Sequence, residues 1–360
     1  MNRRDFTKLS ALALAAGQMP LRAQTSVKPV GYAAIGLGTI SDIFMRGCAK
    51  TQSSKITALV TGHKETKGKK YAAMYGVPES SIYSYEEFDR IRDNKDVDAV
   101  YVGLPNSMHR EYTIRAAEAG KHVLCEKPMA ISSAECREMI AACRKKNVKL
   151  MIAYRCHFDP THLEAEKVIR SGQLGQIEAF EGAFGFNAPM HNFWRLNRKL
   201  GGGGSLMDVG IYPLNAIRYM TKEEPVAFTA VTSTIDHASG RFAEVEQTIE
   251  FTLKFPSGVV ASIGSSYGAS VPSILTIHGE KATIQLAPAF DYSGIKLEGQ
   301  RGLKVSAVSP DDQTTHFQLE ANHFSECIRK GLEPKTPGEE GLKDLVAIEA
   351  IYKAAGAPIG

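Results

Sequence analysis

The chain has 360 residues, 43% hydrophobic and 23% charged, with a net charge of only +4, an ordinary composition for a globular chain of one large or two medium domains. So balanced a charge, with no basic stripe interleaved with aromatics, excludes a nucleic-acid surface. Six cysteines, Cys48, Cys125, Cys136, Cys143, Cys156 and Cys327, match no metal-ligand spacing, and no metal is expected.

Residues 1–27 differ from the rest. Arg3 and Arg4 precede a short apolar run, Leu9 to Ala16, and Leu21-Arg22-Ala23 offers a cleavage site. The run is too short to span a bilayer. Arg3-Arg4-Asp5-Phe6-Thr7-Lys8 resembles a twin-arginine export signal, although Thr7 stands where leucine is common. Such signals send proteins out already folded. The expectation is a periplasmic protein without a membrane segment once the signal is cleaved. Folding in the reducing cytosol would leave the cysteines as buried free thiols.

From Val30 to Ile152 short apolar runs alternate with helical periods. YAAIG, ITALV, VDAVYVGL, HVLCE and KLMIAY read as strands, with helices near Asp42–Lys50, Lys64–Met74, Met108–Ala119 and Ser132–Lys146. This alternation predicts an α/β fold with a doubly wound parallel sheet over 28–153. Beyond it come helices at Thr161–Ser171 and 208–220, then the successive strands AFTAVTSTI, VEQTIEFTLKF, GVVASIGSSY, SILTIHG and KATIQL. Two more helical stretches follow, about Glu320–Lys330 and Gly338–Ala355. Strands without intervening helices predict an α+β unit over 154–360 with a large open, mostly antiparallel sheet.

The first strand runs into Gly36-Leu37-Gly38-Thr39-Ile40-Ser41 and directly into a helix. In a dinucleotide-binding turn the first glycine makes the bend and the second admits the pyrophosphate, which rests on the helix N-terminus. Ser41 replaces the usual third glycine. An NAD site would place a carboxylate after the second strand. This chain has Thr61-Gly62-His63-Lys64 with Lys67 nearby, which suits a 2′-phosphate and predicts NADP. Lys69 and Lys70 read as solvated. Leu104-Pro105-Asn106-Ser107-Met108-His109 and Cys125-Glu126-Lys127-Pro128 also follow strands, at the carboxyl ends where such sheets bind ligands. The bond before Pro128 is open to the cis form.

Glycines 201–204 lead into a helical pattern with Asp208 and Tyr212 one turn apart on one face. A carboxylate and a phenol there would be costly in an apolar core. His157 and His191 lack metal spacing and are expected at the surface or a pocket rim.

Taken together, the GxGxx turn, PNSxH, Glu126-Lys127-Pro128, Tyr154-Arg155-Cys156-His157, Trp194-Arg195-Leu196 and GGGSLMDVGIY resemble the glucose-fructose oxidoreductase / inositol dehydrogenase family. The resemblance runs from about residue 29 to 355 and is closest to the exported branch of glucose-fructose and aldose-aldose oxidoreductases. It implies that Asp208 and Tyr212 face the nicotinamide, with Tyr212 as the acid/base where many relatives carry histidine, Lys127 beside it, and Asp208 as support or substrate acceptor. It further implies that Arg155, Trp194 and Arg195 line the cofactor and sugar pocket, that Tyr85, Asn106, His109 and Glu126 touch the cofactor, and that Tyr292 closes the substrate side. The four glycines would let backbone approach the ligand.

A free tyrosine titrates near ~10. An ammonium about 4 Å away is worth up to ~4 kcal/mol at an effective dielectric of ~20, enough to bring Tyr212 towards neutrality if Lys127 supplies it. The implied reaction is hydride transfer from an aldose, giving its lactone, to tightly bound NADP and on to a second sugar by a ping-pong route. The alternatives are an aldose or 1,5-anhydrofructose oxidoreductase with exchangeable NADP and, in another class, an NAD-dependent glycosidase or a sugar sensor. By analogy the open sheet would join subunits into a homodimer or homotetramer.

Overall fold

The computed structural model describes residues 28–189 and 193–357; the stretch 1–27, read as an export signal, and His191 lie outside them. The first sheet holds β1 (Val30–Ile35), β2 (Ser54–Val60), β3 (Ile82–Tyr83), β4 (Ala99–Val102), β5 (His122–Glu126) and β6 (Leu150–Ala153). They run parallel in the order β3-β2-β1-β4-β5-β6. Every residue of β1, β4 and β6 is buried, as a parallel sheet covered on both faces requires. The covering helices are α1 (Thr39–Cys48), α2 (Lys69–Tyr75), α3 (Asn106–Glu118) and α4 (Ser133–Lys145). Strand order reverses between β1 and β4, and the crevice at that switch point is where such a sheet binds its ligand.

The second sheet contains β7 (Ile177–Gly185), β8 (Ala227–Ser233), β9 (Thr248–Lys254), β10 (Val260–Ser266), β11 (Ile274–Gly279), β12 (Thr283–Leu286), β13 (Lys296–Gln300) and β14 (Ser306–Val308). Its order is β14-β13-β12-β11-β7-β10-β9-β8, antiparallel except where β7 lies parallel to β10. Alternate residues of β8 and β9 are exposed, so one face stays open while the other is packed. α5 (Pro160–Arg170), α6 (Ile211–Thr221), α7 (Thr315–Lys330) and α8 (Gly338–Ala354) complete the chain.

α5 and α6 contribute Val168 and Ile217 to the core beneath the second sheet, while α8 straddles both units, its Gly338 and Gly341 lying against Leu150 and Ile152 of the first. α7 does not stay there. Its Phe317, Ala321, Phe324 and Cys327 join the core of the first sheet beside Tyr32 and Phe44. Tyr32 Oη and Ser325 Oγ are 3.0 Å apart, and a Cβ on Gly47 of α1 would lie 2.9 Å from the Gln318 nitrogen. The 154–360 segment therefore lends a helix to the 28–153 unit. All six cysteines are free and buried. Among the described residues no helix is long and apolar enough to cross a membrane, and no metal-ligand cluster occurs.

Candidate active site

The turn after β1 has the shape its glycines permit. Gly36 sits at φ +79°, and a Cβ there would come 2.5 Å from the Gly103 carbonyl oxygen. Around Gly38 a Cβ would meet nothing within 4 Å, so that position is left open towards the cleft. Ser41 is accommodated by a glycine elsewhere: a Cβ on Gly103 would collide with Ser41 Oγ at 2.3 Å. The close helix–strand packing that a third glycine usually serves is here achieved from the opposite side.

A cleft of about 930 Å³ runs from this turn to the junction of the two sheets. Gly36, Leu37, Gly38, Thr39 and Ile40 form one end with Thr61, His63 and Lys67. Tyr85, Leu104, Pro105, Asn106 and Glu126 line its middle, and Lys127, Arg155, Trp194, Arg195, Asp208, Tyr212 and Tyr292 its far end. Lys127 directly follows β5, and its bond to Pro128 is cis. Its Nζ lies 2.7 Å from the Asp208 carbonyl oxygen and 3.1 Å from Oδ1. Asp208 Oδ2 accepts from Tyr267 Oη at 2.8 Å and lies 3.0 Å from Arg195 Nε. Despite its burial, this ring of donors, with Arg195 the strongest, holds the Asp208 carboxyl well below the usual carboxylate range.

Tyr212 stands between two cations. Lys127 Nζ lies 4.3 Å from its ring centroid and Arg155 Cζ 4.8 Å. Among the described residues only the guanidinium reaches the hydroxyl, Arg155 Nε donating to Oη at 3.3 Å. Arginine cannot accept, so the phenolic proton points elsewhere. Burial raises the Tyr212 phenol well above its ordinary value, with Arg155 opposing. The expected lowering of Tyr212 by Lys127 is thus not what the structure has: the ammonium sits over the ring face and is neutralised by Asp208. The other aromatic wall, Tyr292, has Arg155 Cζ 4.4 Å from its centroid, and Arg195 Cζ covers Trp194 at 4.3 Å.

The description "Oxidoreductase family, NAD-binding Rossmann fold" matches residues 30–154, and "GFO/IDH/MocA C-terminal domain" matches 162–285. A D-xylose 1-dehydrogenase [NADP(+)] of Haloarcula marismortui is 32% identical over 334 residues, covering 91% of each chain. The chain belongs to the Gfo/Idh/MocA family. A 1,5-anhydro-D-fructose reductase of Ensifer adhaerens is 28% identical over 89% of this chain and 95% of its own. The solved structure of an aldose-aldose oxidoreductase from Caulobacter crescentus, complexed with glycerol, superposes with a TM-score of 0.85 at 48% identity, covering 91% of this chain and 98% of that one. As a Gfo/Idh/MocA oxidoreductase the chain binds a nicotinamide dinucleotide, and the open position at Gly38 on the N-terminus of α1 fits its pyrophosphate.

Three residues expected at this family's cofactor do not line the cleft. Lys64 is turned away by an ion pair, 2.7 Å to Glu87 Oε2, and Gly62 is exposed to solvent. His109 is fully buried, each ring nitrogen 2.9 Å from a carbonyl, those of Leu104 and Pro128. It ties together the two loops that carry Asn106 and Lys127. His157 is a core residue, not a rim one: Nε2 bonds Asn215 Oδ1 at 2.7 Å and burial pulls its imidazole down to about 3. The glycine run serves packing. A Cβ at Gly203 would strike Tyr352 Oη at 2.4 Å and one at Gly204 the Glu246 carbonyl oxygen at 2.3 Å. Asp208 has no oxygen left unpaired, so it anchors Lys127 and Arg195 more than it accepts from a ligand. Phe184, Phe186, Phe193 and Gly103 also line the cleft and had no motif to reveal them.

Gly38→Ala should leave the thermal midpoint unchanged and weaken dinucleotide binding by at least about tenfold, the equivalent of one good hydrogen bond. Nucleotide titration by fluorescence beside a melting curve checks both. Gly36→Ala, which must strain the backbone and push the Gly103 carbonyl, is expected to lose fold and binding together.

Proposed function

We propose that the protein is an NADP-dependent sugar oxidoreductase that passes hydride from an aldose to tightly bound NADP and on to a second sugar in a ping-pong cycle. The observation that carries this reading is the single cleft joining the glycine turn to Tyr212, Lys127 and Arg155. The 48% identical aldose-aldose oxidoreductase and the NADP-linked D-xylose relative support it. When bound, the nicotinamide supplies the acceptor and donor of the hydride.

The chain's own residues manage the proton. In the oxidative direction Tyr212 Oη takes the proton of the sugar hydroxyl; in the reductive direction it returns that proton to the carbonyl oxygen. Arg155 Nε stabilises the phenolate between the two. Burial keeps the Tyr212 phenol protonated at neutral pH, the form that the reductive half consumes. Lys127, held by Asp208, orients the substrate oxygen, and Trp194 and Tyr292 offer ring faces to a sugar.

Thr61, His63 and Lys67 suit a 2′-phosphate, with no carboxylate among the lining residues there. Lys67→Ala should raise the NADP dissociation constant about 10- to 100-fold, as loss of one charge-assisted contact does, and leave NAD binding unchanged in the same titration. Export through Arg3-Arg4 to the periplasm, where free nucleotide is scarce, favours a retained cofactor. The open face of the second sheet is the surface proposed for assembly into a homodimer or homotetramer.

The test is near-ultraviolet absorbance of the purified protein with no nucleotide added. Glucose should raise a reduced-nicotinamide signal stoichiometric with protein, and a second sugar should erase it. No signal together with no nucleotide released on denaturation would instead indicate an exchangeable cofactor. Nucleotide present without any signal over an aldose panel would point to the glycosidase alternative, which chromogenic glycosides would report.

A further inference from the structure

Arg155 is 3% exposed and has no carboxylate within ion-pair distance among the described residues. A buried guanidinium without a counter-charge is costly, so its surroundings should explain it. Nη2 donates to the Phe290 carbonyl oxygen, Nη1 to that of Asp291 at 2.8 Å, and Nε to Tyr212 Oη. Nη1 also lies 3.3 Å from His316 Nδ1.

That contact fixes a tautomer. Because arginine only donates, His316 Nδ1 must carry a lone pair, and the imidazole proton must sit on Nε2. Nε2 lies 2.8 Å from Asp159 Oδ2, outside hydrogen-bond alignment, so the carboxylate favours a proton there through its charge. Asp159 and His316 are 0% and 1% exposed. The carboxylate is saturated with donors: His162 N and Nδ1 at 2.9 and 3.0 Å on Oδ1, and the Ser309 hydroxyl on Oδ2. Burial opposes it, yet the His162 and His316 side chains hold the carboxyl far below the ordinary carboxylate range. A charged carboxylate thus stands one imidazole away from a charged guanidinium, and the guanidinium ends on a phenol.

We propose that Asp159 and His316 are positioning residues for Tyr212, acting through Arg155. Asp159 holds the His316 tautomer; His316 Nδ1 fixes Nη1; and the planar guanidinium, so held, presents Nε to the phenol oxygen and keeps the phenolic proton directed away from Arg155. Sequence supplies most of the chain in one short stretch: Arg155 opens a single turn (Arg155–Phe158), Asp159 caps α5 and His162 lies in its first turn. His316 arrives from the first turn of α7.

The inference rests on Tyr212 being the proton-transfer group, and a double-mutant cycle separates the two. With the nucleotide-loaded enzyme and an oxidisable aldose, His316→Leu should lower kcat by about 10- to 100-fold, the range of coupling between contacting groups, while KM moves far less. His316→Gln, whose amide can donate to Asp159 and accept from Arg155, should recover most of the loss. In a Tyr212→Phe background His316→Leu should cost little more, since the group it positions is gone. A full additional loss there would overturn the relay, and so would a loss in KM alone for His316→Leu in the otherwise native enzyme, which is readable even where Tyr212→Phe has no residual rate. An active Tyr212→Phe would overturn the assignment of Tyr212 itself. Should His316→Leu fail to fold by its melting curve, failure of a folded His316→Gln to exceed Arg155→Lys in kcat would decide against the relay.

Discussion

Tyr212→Phe should lower kcat by about 10²- to 10⁴-fold, the contribution of one positioned proton-transfer group, in both the sugar-oxidising and the sugar-reducing half-reactions. Dinucleotide affinity should not change, because the hydroxyl contacts only Arg155 Nε among the described residues. The fold should also hold, since Phe fills the same space between Phe184 and Phe290, whose ring centroids lie 5.7 and 5.9 Å away. Stopped-flow measurement of each half-reaction gives the result directly. If both rates stay within a few-fold of the native enzyme, the proton passes through another group. Lys127, over the ring face, would then be the first candidate.

Asp208→Ala is expected to be the most destabilising change at the site. It leaves Lys127 Nζ and Arg195 Nε without their shared carboxylate and Tyr267 Oη without an acceptor. Removing one partner from a buried ion pair costs about 3–5 kcal/mol, and denaturant unfolding of the second sheet measures it. The pH dependence has a definite sign. Asp208 is depressed in the folded chain, so its contribution is complete above the ordinary carboxylate value of ~4. It fades only as pH falls below that value towards the folded one. Asp208→Asn should therefore be less stable than the native chain at neutral pH, and the gap should narrow on acidification below pH ~4. A gap that stayed constant there would mean that packing, not charge, is what Asp208 provides.

Much of this architecture could be read before any coordinates. The five parallel strands with long apolar runs were legible because burial on both faces leaves little polar residue in them. The glycine turn was legible because φ near +79° at Gly36 admits almost nothing else. β7 was not: IEAFEGAFG carries two glutamates and two glycines, yet it pairs at the centre of the second sheet, where a Cβ on Gly182 would press on Pro213 at 2.7 Å. Tertiary packing there overrides a weak local pattern. In the site, motif position groups Lys127, Arg155 and Tyr212, and all three line one cleft. It misjudged His109 and Lys64, because a motif gives the neighbourhood of a side chain and not its direction. The apolar wall of Phe184, Phe186 and Phe193, and the Asp159–His316 pair, come from segments far apart in the chain that no local spacing could join.

The return of α7 to the first sheet has a consequence for synthesis. The dinucleotide-binding half is contiguous in the chain only in appearance, because Phe317, Ala321 and Phe324 are emplaced last. A nascent chain emerging from the ribosome therefore presents Tyr32, Phe44 and Ser54 uncovered until nearly all of it has been made. Cutting the gene after residue 310 should then yield not a small stable nucleotide-binding protein but an aggregating one. Completion of the last helices is what turns the first fold into a finished one.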